Sequence, residues 1–163
     1  MLEDCGFQVA PVITGTPHAY FAITGGCTGL TLRRCNVGGQ AAITDRPTYG
    51  INLEGATFFA ASLVEDCTIG GSNGWLVSSS MAFGRGTVVR NNMFGGLGMG
   101  VMSTGISDQS LKTDATGGNI TYINNMIQAT NPHSILNDWR RFINNYAVLT
   151  DQTAAVILYS GNV

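Results

Sequence analysis

A short phrase recurs along this chain, and its recurrence restricts the fold more than any other feature. The C-terminal part reads RRFINNYAV and, twenty residues earlier, ITYINNMIQ; further back come TVVRNNMFG, SLVEDCTIG, LTLRRCNVG and the opening MLEDCGF. Taking the second residue of each central pair as an anchor gives Cys5, Cys35, Cys67, Asn92, Asn125 and Asn145. Three positions before the anchors stand Leu2, Leu32, Val64, Val89, Tyr122 and Phe142, and two positions after them Phe7, Val37, Ile69, Phe94, Ile127 and Ala147. All twelve flanking positions are apolar, and subtraction of anchor numbers gives spacings of 30, 32, 25, 33 and 20 residues. Internal repeats of this order belong to solenoids, propellers or arrays.

The filling of the repeat decides among these. A second apolar stretch follows each anchor: AYFAIT at 19–24, YGINLE at 49–54, GWLVS at 74–78, GMGVM at 98–102, HSILN at 133–137 and AAVILY at 154–159. These runs are short, rich in Val, Ile and aromatics, and punctuated by Gly or Asn, which is the pattern of strands; no 3.6-residue period runs long enough to compete. Three short strands with their turns occupy about twenty residues, and the longer repeats then carry inserted loops at 38–48 and 103–119. A coil of constant girth with loops of variable length is an all-β, parallel β-solenoid, here of about six coils in a single domain, 1–163.

In such a coil the first residue of each pair takes a sharp bend with positive φ, which Asn tolerates. The anchor points inward, about 4.8 Å from its equivalents in neighbouring coils. Stacked Asn amides can bond along the stack and satisfy the backbone of the bend. Cys5, Cys35 and Cys67 are expected to fill space without joining that network, and Asp4 and Asp66 to replace Asn at corners.

Repeats of the form apolar-x-Asn-Asn-x-apolar with short strands between them resemble the right-handed parallel β-helix of the pectate-lyase-like superfamily. That superfamily includes polysaccharide lyases, glycoside hydrolases, and the tailspikes and other virion proteins of bacteriophages. The resemblance extends from residue 1 to about residue 160. It implies the architecture and not an activity, because the Asn ladder is structural and no catalytic motif of a lyase or hydrolase is matched.

Charged residues make up 11% of the chain, against roughly 25% in ordinary soluble domains. A net charge of −2 and eight scattered Lys+Arg argue against nucleic acid as a partner. No run of eighteen apolar residues is present to span a membrane, and MLEDCGF carries acids where a signal peptide needs bases. Leu2 and Phe7 already hold core positions, and neither terminus shows an evident cap. The expectation is therefore a piece of a longer chain, or an end covered by another subunit.

The four cysteines, Cys5, Cys27, Cys35 and Cys67, are expected as buried thiols, since parallel stacked side chains direct their Cβ vectors poorly for disulfides. Neither C-x2-C nor a His pair is present for zinc, and no metal or other cofactor is implied. His18 and His133 are read as turn or strand-edge residues. The glycines of GGCTG and FGGLGMG lack the following helix that a phosphate loop needs.

Catalysis on a glycan requires either two suitably separated carboxylates, or a base with charge neutralisation. Alternation in YGINLEG puts Ile51 and Leu53 inward, and Asn52 and Glu54 outward. Asp138 and Trp139 follow the equivalent strand three coils later, with Asp108 and Asp114 in the long loop on the same edge. Glu54 and Asp138 are thus the catalytic candidates, and Trp139, Asp108 and Asp114 the carbohydrate-binding ones, with Trp139 as a stacking platform. Glu54 and Asp138 stand roughly 14 Å apart by coil number, wider than glycosidase spacing.

Outward positions of the second stretch carry Leu76, Gly100 and Met102. An apolar stripe of this kind marks a subunit interface, and the resemblance to tailspikes implies three copies around a threefold axis. The expectation is a homotrimeric phage virion protein: a tailspike, tail fibre or capsid decoration, assembled in the host cytoplasm. It would contact other virion proteins and host surface polysaccharide, serving attachment or particle stabilisation. The alternatives are a polysaccharide lyase or glycoside hydrolase of the same fold, and a secreted or cell-surface adhesin.

Overall fold

A computed structural model describes residues 1–7, 19–23, 25–38, 49–53, 56–70, 73–77, 86–95, 102–108, 120–135, 142–148 and 157–159. Within them every helical or extended element is a β-strand, and the protein is all-β with parallel sheets. The first sheet has six strands in the order β1 (Leu2–Glu3), β5 (Thr31–Arg33), β9 (Leu63–Glu65), β12 (Val88–Arg90), β15 (Thr121–Ile123) and β17 (Phe142–Ile143). A second ladder takes the strand after each anchor region: β2 (Gly6–Phe7), β6 (Asn36–Val37), β10 (Thr68–Ile69), β13 (Met93–Phe94), the start of β16 (Met126–Ile135), and β18 (Asn145–Val148). A third joins β3 (Ala19–Ala22), β7 (Tyr49–Leu53), β11 (Asn73–Val77), β14 (Met102–Asp108) and the remainder of β16. Because β16 serves both ladders, they form, together with β19 (Ile157–Tyr159) beside β18, one eleven-stranded sheet.

The repeat phrase sets the register. Leu2, Leu32, Val64, Val89, Tyr122 and Phe142 are successive cross-strand partners in the first sheet. Phe7, Val37, Ile69, Phe94, Ile127 and Ala147 are partners in the second ladder. Slipping any strand by one residue would turn its apolar side chain to the opposite face, so burial holds this register. Leu32, Val64, Val89 and Tyr122 are fully buried, as are Val37, Ile69, Phe94 and Ile127. Between the paired strands the first residue of each central pair bends the chain at positive φ: Asp4, Arg34, Asp66, Asn91, Asn124 and Asn144 all lie between 50° and 55°.

Four features depart from the sequence reading. A fourth strand position exists, where β4 (Gly25–Thr28) pairs with β8 (Ala56–Ala60). Secondly, part of the expected loop at 103–119 is strand, since β14 runs through Asp108 and pairs with β11 and β16. Its sequence MSTGISD is polar, but two neighbours supply ladder hydrogen bonds and Ile106 is fully buried, so context overrides propensity. Thirdly, Asn52 is only 5% exposed, and Gly50 on the same face is buried, so β7 is covered on both faces as parallel strands commonly are. Lastly, the AAVILY stretch does not continue the parallel stack. Its described part, β19 (Ile157–Tyr159), runs antiparallel along β18.

Candidate functional site

The anchor column is the most organised polar feature. From Cys35 to Asn125, the anchor's backbone N–H donates to the side chain of the next: Cys35 to Cys67 Sγ at 3.4 Å, Cys67 to Asn92 Oδ1 at 2.9 Å, Asn92 to Asn125 Oδ1 at 3.0 Å, and Asn125 to Asn145 Oδ1 at 2.9 Å. The amides also donate backwards, Asn92 Nδ2 to the Val64 carbonyl, Asn125 Nδ2 to Val89 and Asn145 Nδ2 to Tyr122, each at 3.0 Å. Direct amide–amide bonds link Asn92 to Asn125 at 3.0 Å and Asn125 to Asn145 at 2.7 Å. These side chains are buried, and every bond satisfies a group that water cannot reach.

The cysteines of the column do more than fill space, which corrects the sequence reading. Cys67 Sγ accepts from the Cys35 N–H where Asn would offer its oxygen. The thiols of Cys5, Cys35 and Cys67 donate to the carbonyls of Glu3, Arg33 and Glu65, two residues back, at 3.2, 3.3 and 3.2 Å. All four cysteines are free; Cys35 and Cys67 are buried, Cys5 and Cys27 half-buried. Burial pushes the Cys67 thiol up to about 11, so it is protonated at neutral pH and is no nucleophile.

Two further columns escaped the sequence reading. Ser62 Oγ accepts from the Leu30 N–H at 3.1 Å, and Thr87 Oγ1 from the Ser62 N–H at 3.3 Å, a hydroxyl column just ahead of the first sheet. Its signal was present: Gly29, Ala61 and Gly86 stand six residues before their anchors, and all take positive φ. On the opposite face of the first sheet from the core, Glu3, Arg33, Glu65 and Arg90 are successive register partners. Acid and base alternate in that column at a fixed offset from the anchor.

Glu65 sits in the middle of the charged column, its side chain only 6% exposed. Arg90 Nε donates to its Oε2 at 2.8 Å, and Arg33 contacts Oε1. These paired, charge-assisted bonds, Arg90's first, hold the Glu65 carboxyl below the usual glutamate range. At the adjoining corner Arg34 donates to Asp4 at 2.7 and 2.8 Å and to Glu3 at 2.7 Å, which lowers Asp4 and raises Arg34.

A pH prediction follows from Glu65. A carboxyl depressed in the folded state contributes stability above the unfolded glutamate value of about 4.3, and loses it as pH falls through the folded value. Glu65→Gln is therefore expected to melt at lower temperature than wild type at pH 7, with the difference shrinking steadily below about pH 4.3. Thermal melts from pH 7 to 3 test this; a difference that stays constant over the range refutes the assignment.

The other sequence candidates are not brought together in the described region. Glu54, Asp114, Asp138, Trp139 and His18 lie outside the described residues. Asp108 is the last residue of β14, not a loop residue, in register with Val77 and Ile135. His133 lies within β16 opposite Ile106. Leu76 in β11 is opposite Asn52 and Ser107, and Met102 opens β14 opposite Ala129. Among the described residues no three His, Cys, Asp or Glu groups are placed to hold a metal ion. No described helix is long and apolar enough to cross a membrane. Compared with protein-family models, curated proteins and solved structures, the chain matches none.

Proposed function

We propose that the stacked ladders are the faces of a right-handed parallel β-solenoid of about six coils, and that the protein is a structural component of a bacteriophage virion. In that role, as tailspike, tail fibre or capsid decoration, it serves host attachment or particle stabilisation. The observation that carries the reading is the unbroken register of the anchor phrase through six strands of the first sheet, with a buried amide and thiol column beside it. Groups spent in this way hold one repeat to the next. Glu3, Asp4 and Glu65 are likewise engaged by arginines, as expected of a scaffold whose function is its shape. The link to virions rests on the sequence resemblance.

The reading includes a homotrimer, with Leu76 and Met102 near the contact. Light scattering is expected to return three times the monomer mass, and Met102→Lys, which would bury an unpaired charge at the contact, to shift the distribution toward monomer. A wild-type monomer at micromolar concentration contradicts the trimer. The assembled protein is also expected to release no new reducing ends or unsaturated products from capsular and O-antigen polysaccharides. Turnover abolished in both Glu54→Gln and Asp138→Asn would replace the structural role with a catalytic one.

A further inference from the structure

Three outward-facing columns meet at the corner between the first sheet and the second ladder, and all three change character partway along the stack. The bend residues are charged in the first three repeats, Asp4, Arg34 and Asp66, and neutral amides in the last three, Asn91, Asn124 and Asn144; all six are exposed. On the outer face of the first sheet the charged column ends at Arg90, and the next register partners are Ile123 and Ile143, both half-buried. On the second ladder the outward positions run Gly6, Asn36 and Thr68, then Met93 and Met126. Met126 is 43% exposed, and among the described residues only Met1 is a large apolar side chain more open to solvent.

The switch specifies what this surface can meet. Its uncharged half offers isoleucine and methionine beside a row of amides, and each amide carries both donors and an acceptor. Such a row pairs with a copy of itself, as a row of like charges does not. In the first three repeats a copy laid side by side, repeat against same repeat, would set Asp4, Arg34 and Asp66 each against its like, so close contact is confined to the last three. A copy running the opposite way over the full stack would instead bring Glu3 and Arg33 to Ile143 and Ile123, taking charge out of water against apolar side chains. The surface also continues the contact proposed at Met102, whose register partner Ala129 follows Met126 by three residues in β16.

We propose that copies of this chain meet through the corner of their last three repeats, side by side and repeat against same repeat. Met126, Met93 and Ile123 lie at the contact, and the amides of Asn91, Asn124 and Asn144 pair across it. The inference rests on the reading of the protein as an oligomer, and adds which surface the copies share and in what register.

The test uses the whole chain. Single variants Met93→Cys and Met126→Cys are treated with a short bismaleimide, beside wild type as the control for Cys5 and Cys27, which are half-buried. Each variant is expected to link to its own copy, because equivalent positions face one another. By light scattering, Met126→Glu should weaken association roughly tenfold or more, whereas Asn36→Glu, in the same column but among the charged repeats, should leave it unchanged. Linking by only one of the two cysteine variants overturns the register, since an antiparallel pair brings at most one of these positions onto its own copy. An oligomer that neither links nor responds to Met126→Glu overturns the surface and leaves the trimer standing. A linked dimer supports the surface and contradicts the trimer. A wild-type protein that is monomeric at micromolar concentration overturns both.

Discussion

Asn125→Leu is expected to lower the unfolding midpoint sharply, because Asn125 serves two repeats at once. Its Oδ1 accepts from both the N–H and the amide of Asn92, and its Nδ2 donates to Val89 and Asn145. Leucine keeps the branched shape but leaves the Asn92 N–H and the Val89 carbonyl buried without these partners. Each such group costs about 1–3 kcal/mol, a large share of the 5–15 kcal/mol by which domains are typically stable. Asn125→Cys supplies the sharper comparison. In the same column Cys67 Sγ already accepts a backbone N–H from Cys35, so cysteine should retain a weakened form of the bond and fall between wild type and leucine. Urea unfolding of the three proteins decides. If leucine costs no more than cysteine, the column is not held by hydrogen bonds.

Much of this organisation was legible because the repeat constrains two things together. An apolar side chain at fixed offsets from the anchor fixes the register, and a residue tolerant of positive φ fixes the bend. Asn91, Asn124 and Asn144 announced their bends by type. Arg34 and Ala61 did not, since neither residue type favours that conformation, and only the neighbours of Arg34 indicate a reason: its guanidinium is held by Glu3 and Asp4. The charged column was written at a constant offset, yet it is invisible to a count of charges, which sees only scattered residues. The strand at β14 was missed for a different reason. Its stability comes from β11 and β16 on either side, far away in sequence, and nothing in MSTGISD itself carries that information. The proposed catalytic pair was the least accessible, because carboxylate convergence depends on how loops of unequal length return to the stack. Repeat spacing says nothing of that.

The close approach of successive layers leads to the other large expected effect, at Gly38. This residue directly follows β6, the second-ladder strand of its repeat, at φ +135°, a conformation that residues with a Cβ rarely adopt. A Cβ placed there would lie 3.0 Å from the Cα and 3.1 Å from the N of Gly70. Both contacts are backbone, so no side chain can swing aside. Moving Gly70 away would stretch its 2.7 Å hydrogen bond to the Val37 carbonyl, the bond that joins the two layers at this corner. Gly38→Ala therefore combines backbone strain of about 1–3 kcal/mol with an overpacking cost of about 1–3 kcal/mol. Gly29 gives a reference in which only the milder left-handed strain is at stake. It too has positive φ, +73°, but a Cβ there meets nothing within 4 Å, and Ala61 already occupies the equivalent place one repeat later. Gly29→Ala should cost only that strain, about 1–2 kcal/mol. Melting temperatures of the two variants, measured side by side, test whether the layers approach this closely. Equal losses would mean that Gly38 is required for its backbone angle alone and that the contact with Gly70 yields at no cost.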